Sequence, residues 1–226
     1  MEHNKGLEHK IIVAGIGPGH PDYMTPAAHR AILGAEVLVG GKRALSQFAR
    51  SDQKTMAITR DVPGVLSFLQ EQLSFSDVVV MVSGDPGYYS LLDALRRDFP
   101  EERIEVIPGI SSLQLAFSRL ALPWHDARLL SFHGRRPGMD QLSYWKGGLL
   151  GMLTDGDCNS KTISSLLMEL GWPGASKLFV CARLSYEDER ILRMTLEEAA
   201  GQEPVGNCVL IVWDREEEQD ASFGNG

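Results

Sequence analysis

The chain has 226 residues, 43% of them hydrophobic, and a formal net charge of −8 at pH 7. That length and apolar content can bury a full core in one large domain or two small ones. The acidic balance and the lack of any basic stretch argue against a nucleic-acid partner, whose phosphates call for clustered Lys and Arg. No apolar run approaches the roughly 20 residues that span a bilayer, and the opening MEHNKGLEHK lacks the apolar segment of a secretory signal. The expectation is a soluble cytoplasmic protein with no membrane partner. Cys158, Cys181 and Cys208 are odd in number, far apart and free of CxxC spacing, which suggests core thiols and neither a disulfide framework nor a zinc site. His3, His9, His20, His29 and His125 show no ligand spacing, so no protein metal site is expected.

Strand-like and helix-like segments alternate along the chain, the pattern of an α/β protein with a parallel sheet and covering helices. Residues 10–14 read as the first strand; Thr25 can then cap a helix with Pro26 at its first position and apolar spacing Ala28, Ile32, Leu33, running to about Gly34. A strand at 36–39, helices at 42–49 and 61–73, a short strand at 55–58 between them, and a strand at 77–82 follow. A helix over 88–99 leads to a strand at 104–107, and Ser111 begins the helix SSLQLAFSRLA. The segment LPWHDA at 122–127 breaks the rhythm as a linker would, placing an N-terminal domain at 1–122 and a C-terminal one at 123–214. In the second half, strands are expected at 128–132, 149–153, 177–183 and 208–213, with a helix over 159–170 stopped by Gly171 and a short helix over 195–200. Asp214, Glu216, Glu217, Glu218 and Asp220 fall in a segment without apolar periodicity, read as a solvated, disordered acidic tail over 215–226.

Glycine turns close three of the apolar runs: GIGPGH after the first strand, SGDPGYYS after the fourth and PGISS after the fifth. Glycine there lets backbone approach a ligand, which is how α/β proteins build small-molecule sites at strand carboxyl ends. GIGPGH begins like the dinucleotide fingerprint, but His20 stands at the third glycine and Pro18 removes an N–H that would cradle a pyrophosphate. SGDPGYYS lacks the Lys of a phosphate loop and offers the carboxylate of Asp85 instead, suited to a ligand with hydroxyl and amino groups. The alternative is that Gly84, Asp85 and Pro86 only make a tight turn, with Asp85 capping a helix.

In that order, GIGPG, SGDPGYY and PGISS resemble the tetrapyrrole methyltransferase family, which uses S-adenosylmethionine to methylate rings on the routes to cobalamin and sirohaem; the likeness covers residues 10–213. LVGGKRAL, GYYSLLDAL, LPWHDARLLSFHGR and LSYEDERI are similar to the branch that methylates C5 of precorrin-6Y or cobalt-precorrin-7. That branch also occurs fused to a decarboxylating C15-methyltransferase; this chain looks like the stand-alone form, with such an enzyme as a separate partner. The resemblance implies two α/β domains with the cofactor cleft between them, the tetrapyrrole methylase fold, and a homodimer. It implies cofactor contacts at Pro18, Ser83, Gly84, Asp85, Tyr88, Ser111 and Ser112, with Thr154, Leu184 and Asn207 in the second domain. Where the branch often has Glu-Asn this chain has Ala182 and Arg183, so contacts from that strand fall to its backbone.

Methyl transfer from a sulfonium to a ring carbon is a displacement whose leaving group departs neutral, so near-attack positioning supplies much of the acceleration and little acid or base is needed. His133, in SFHGRR, is the one histidine in a branch-like motif and the candidate proton acceptor; its other reading is a ring hydrogen-bonded at a strand end. A corrin precursor carries many carboxylates around an apolar ring, for which Arg135 and Arg136, then Lys42 and Arg43, are the candidate partners. Two other functions stay open: a family member acting on a different ring carbon, and an NAD-binding oxidoreductase or nucleotide-binding module.

Overall fold

The strand β4, Val78–Val82, is buried at every position, as the middle strand of a parallel sheet covered on both faces must be. The computed structural model describes residues 9–214; the acidic segment 215–226 and His3 lie outside them. The first sheet joins β1 (Ile11–Gly15), β2 (Val37–Gly40), β3 (Lys54–Ala57), β4 and β5 (Ile104–Ile107) in the order β3-β2-β4-β1-β5. Every pairing between these strands is parallel.

Alternation along these strands sends side chains to two cores. Val78, Val80 and Val82 pack with Val13 and Val39 against Val65 and Leu69 of α3 (Val62–Gln72) and Leu95 of α4 (Leu92–Asp98). Val79 and Met81 point the other way, to Ala28 and Ile32 of α1 (Pro26–Gly34) and Ala44 of α2 (Lys42–Phe48). Each of the Val, Leu, Ile and Met side chains among these contributes roughly 1.5–3 kcal/mol when withdrawn from water. Thr25 caps α1, its Oγ1 accepting from Ala28 N–H at 3.2 Å, and Asp61 caps α3 through Gly64 N–H at 3.0 Å. The helix expected over 88–99 starts later, at Leu92. Tyr89 adopts φ 54°, which no helix accepts, and Ser90 Oγ donates to Pro86 O at 2.6 Å while accepting from Leu92 N–H at 3.0 Å.

The second sheet joins β6 (Arg128–Ser131), β7 (Leu149–Leu153), β8 (Lys177–Ala182), β9 (Arg190–Thr195) and β10 (Cys208–Trp213) in the order β6-β7-β10-β8-β9. This sheet is mixed, where the strand–helix alternation of the sequence suggests a parallel one: β6 pairs parallel with β7, but β10 runs antiparallel to β7 and β8, and β9 antiparallel to β8. β9 and the short helix α6 (Met139–Leu142) are not among the elements expected from the sequence. One face packs Leu150, Met152, Val180, Leu210 and Val212 against Ile163 and Leu167 of α7 (Ser160–Glu169) and Leu196 and Ala199 of α8 (Leu196–Gly201). Asn159 caps α7, and Thr195 caps α8 reciprocally with Glu198. The chain divides into two compact units, Met1–Leu115 and Ala116–Gly226. The division falls inside α5 (Ser112–Arg119), upstream of LPWHDA.

Candidate functional site

Because β4, β1 and β5 are adjacent, the three glycine turns are neighbours in space though remote in sequence. Ile16 N–H donates to Val82 O and Gly84 N–H to Gly17 O, each at 2.9 Å, so the first two turns extend the ladder beyond the strands. Asp85 ties in the third: Oδ2 accepts from Gly109 N–H at 3.0 Å and Oδ1 from Gly87 N–H at 2.8 Å. It caps no helix, since α4 begins at Leu92 without a side-chain cap. A carboxylate has about four lone-pair sites, so each oxygen keeps acceptor capacity for a ligand.

The glycines also have a structural reason to be there. A Cβ on Gly15 would lie 2.7 Å from both Gly84 O and Gly109 N, and one on Gly109 would overlap Gly84 O. These two residues let the turns approach one another. Gly84 has a different reason, its φ of 71°. His20 accepts from Asp22 N–H at 3.3 Å through Nδ1 and so caps the 3-10 turn Pro21–Tyr23, a structural use of the position where the dinucleotide fingerprint has glycine.

The sequence-predicted residues of the first unit take these places. Pro18 is half-buried beside Gly17, and Ser83 is exposed at the end of β4. Tyr88 is half-buried, its ring edge-on to Tyr89 at 4.6 Å. Ser111 caps α5: its Oγ accepts from Gln114 N–H at 3.1 Å while Gln114 Oε1 accepts from Ser111 N–H at 2.8 Å. Ser112 is the first residue of that helix. Lys42 and Arg43 are exposed at the start of α2. A surface hollow of about 420 Å³ in this unit, lined by His9, Arg30, Glu36 and Asp77 among others, contains none of the predicted site residues. It lies where β4 begins, whereas ligands in open α/β sheets bind at strand carboxyl ends.

In the second unit the carboxyl ends of β6, β7 and β8 and the start of β10 share one edge of the sheet. That edge collects His133, Arg135 and Arg136 after β6, Thr154 after β7, Leu184 after β8 and Asn207 before β10. Thr154 is 4% exposed, and its hydroxyl donates to Cys208 O and accepts from Cys208 N–H, both at 2.9 Å. The hydroxyl is thus engaged in locking β7 to β10. Leu184 is buried, and Asn207 is exposed with φ 50°. His133, Arg135 and Arg136 are all exposed, His133 N–H donating to Ser131 Oγ at 3.2 Å.

Two residues outside the sequence reading organise this edge. Asp155 Oδ1 accepts from Cys158 N–H at 2.7 Å and Asp157 N–H at 3.0 Å. Cys158 N–H foremost, then the N–H groups of Gly134 and Asp157 and the charge of His133, hold its carboxyl below the usual range against the effect of burial. Asp155 therefore braces the HGR turn. Its signal was the TDG turn after an apolar run. Glu189 is the other: burial alone would raise its pKa, but hydrogen bonds from Arg119 and Ser185 N–H, with the Arg119 charge, bring it below the usual range. No local signal marks it, because Arg119 is distant in sequence. Among the described residues no group of three or more His, Cys, Asp or Glu could hold a metal ion, and no helix is long and apolar enough to cross a membrane.

An α/β chain with backbone turns and strand-end loops gathered in this way belongs to the tetrapyrrole (corrin/porphyrin) methylases, whose family model matches residues 10–200. It is a methyltransferase. A relative from Salmonella typhimurium, a cobalt-precorrin-7 C(5)-methyltransferase, is 33% identical over 205 residues, covering 91% of this chain and 100% of the relative. The precorrin-6Y methylase structure from Archaeoglobus fulgidus superposes with a TM-score of 0.67 at 24% identity, covering 93% of this chain and 100% of that one. A uroporphyrin-III C-methyltransferase from Thermus thermophilus, solved with S-adenosylhomocysteine, gives a TM-score of 0.71 at 22% identity over 90% of this chain and 91% of that one. Family membership displaces the dinucleotide-binding alternative.

Proposed function

We propose that the chain transfers a methyl group from S-adenosylmethionine to C5 of a corrin precursor, cobalt-precorrin-7 or precorrin-6Y, in cobalamin biosynthesis. The observation that carries this reading is the 33% identity to a cobalt-precorrin-7 C(5)-methyltransferase along that relative's full length. Bound S-adenosylmethionine supplies an electrophilic methyl on a sulfonium. The protein's part is to hold donor and acceptor in line and exclude water, and fixed backbone turns suit that task better than mobile side chains do.

Pro18, Ser83, Gly84, Asp85, Tyr88, Ser111 and Ser112 form the cofactor contacts of the first unit under this reading. The free acceptor capacity of Asp85 and the exposed Ser83 hydroxyl fit a ligand rich in hydroxyl and amino donors. At the second unit's edge, Thr154, Leu184 and Asn207 contribute mainly through backbone, since the Thr154 hydroxyl is engaged with Cys208. Arg135 and Arg136, with Lys42 and Arg43, receive the substrate's carboxylates, and His133 is the proton acceptor. The enzyme works as a cytoplasmic homodimer, with a separate C15-methylating decarboxylase completing the substrate.

Incubation with cobalt-precorrin-7 and S-adenosylmethionine should add one methyl by mass spectrometry, assigned to C5 by NMR. A methyl on another ring carbon would move the chain to a different branch of the family, and no transfer to any corrin precursor would remove the substrate assignment. Sedimentation of the purified protein as a monomer would remove the dimer.

A further inference from the structure

The connection from β8 to β9, residues 183–189, holds two non-glycine residues in the left-handed region, Arg183 at φ 56° and Ser185 at φ 72°. Residues with a Cβ adopt that conformation at a cost and keep it only where neighbours enforce it. Part of the enforcement is local and exposed. Tyr186 N–H donates to Arg183 O at 3.1 Å, and the Arg183 guanidinium meets Asp188 Oδ2 at 3.0 Å and sits 4.5 Å from the Tyr186 ring centre.

Glu189 acts from the less exposed side. Its side chain is 19% exposed, and its Oε2 accepts from Ser185 N–H at 2.7 Å, a short, charge-assisted bond. Arg119 fixes the carboxylate from the far side, Nε donating to Oε1 at 2.6 Å and Nη2 to Oε2 at 3.3 Å. The guanidinium fork sets the plane of the carboxylate, and the carboxylate sets the one strained backbone N–H it holds. Leu184, between the two strained residues, is 6% exposed and Ser185 8%.

We propose that Glu189 is a positioning residue for the methyl donor: clamped by Arg119, it holds the Leu184–Ser185 backbone in the shape that receives S-adenosylmethionine. This rests on the reading above, in which the end of β8 contacts the cofactor. In this role Glu189 and Arg119 act on the ligand through the amide of Ser185.

The test measures S-adenosylhomocysteine binding by calorimetry for the full chain and for Glu189→Ala, Glu189→Gln and Arg119→Ala. Glu189→Ala should bind about tenfold more weakly, whereas Glu189→Gln, whose amide oxygen still accepts from Ser185 N–H, should lose less than about threefold. Arg119→Ala, which keeps the acceptor but loses the clamp, should fall between them. Native-state hydrogen exchange reads the bond itself: the Ser185 amide should exchange at least about tenfold faster in Glu189→Ala, with the Leu210 amide of β10 unchanged as the sign of an intact fold. If Glu189→Ala does not fold, Arg119→Ala carries the comparison. Unaltered affinity in a folded Glu189→Ala or Arg119→Ala would overturn the proposal, as would equal weakening by Ala and Gln. Absence of binding by the unaltered chain is a different result and would remove the methyl-donor reading itself.

Discussion

Gly109 occupies a place where no side chain fits. A Cβ there would overlap Gly84 O and come within 2.8 Å of Gly15 C, and both are backbone atoms that cannot swing aside as a side-chain tip can. Gly109→Ala should lower the free energy of unfolding by about 1–3 kcal/mol, the usual range for overpacking. It should also weaken S-adenosylhomocysteine binding, because relief of the clash moves Gly109 N–H away from Asp85. Gly156 is the control: nothing lies within 4 Å of its Cβ position, and alanine there should stay within about 0.5 kcal/mol of the unaltered chain. Urea unfolding of both variants makes the comparison. A Gly109→Ala midpoint as close to the parent's as that of Gly156→Ala would show that the turns are not packed against each other as described.

At the scale of elements, Thr154 is the joint between β7 and β10. Valine matches threonine in shape but removes the hydroxyl, leaving Cys208 N–H without the acceptor it now has at 2.9 Å, while Cys208 O keeps the backbone N–H of residue 154 at 3.2 Å. Unsatisfied buried groups of this kind cost about 1–3 kcal/mol, so Thr154→Val should destabilise by that amount. Thr154→Ser, which keeps the hydroxyl, should lose much less. Exchange of the Cys208 amide distinguishes them: protection should fall in the valine variant and persist in the serine one. The same joint marks the limit of what the sequence disclosed. β4 was legible because a run of five apolar residues has few other uses. β9, RILRMT, was not, since an edge strand exposing Arg190, Leu192 and Arg193 shows no clean alternation. The late start of α4 depends on the φ of Tyr89, which apolar spacing does not record. The three turns could be read as a site, but the contacts between them could not, because Asp85 and Gly109 meet only after β1 and β5 have paired. The resemblance points to Thr154, but its attachment to Cys208 exists only through the antiparallel register of β10.

For the molecule as a whole, titrating groups limit stability at both ends of the pH scale. Asp155 and Glu189 ionise below the usual carboxylate range in the folded state. Their contribution is complete above the unfolded carboxylate pKa of roughly 4 and is lost as pH falls through the folded values, so both turns at the second sheet's edge should loosen in acid. The alkaline limit comes from β8 and β10. Burial foremost pushes the Cys181 thiol up to about 12 and the Cys208 thiol to about 11, whereas a solvated thiol ionises near 8.5. Above that pH the unfolded chain releases protons that the folded chain retains, so stability is full below it and declines as pH rises toward the folded values. Between pH 8 and 10 the loss should be on the order of 1–2 kcal/mol per thiol. Lysines and tyrosines also titrate there, so the informative quantity is a difference. Urea unfolding of the parent and of a Cys181→Ala, Cys208→Ala double variant should give curves that converge as pH rises, the parent losing about 2–4 kcal/mol more than the variant by pH 10. Parallel curves would mean that these thiols reach solvent without unfolding, and a thiol reagent should then modify both at neutral pH in the native protein.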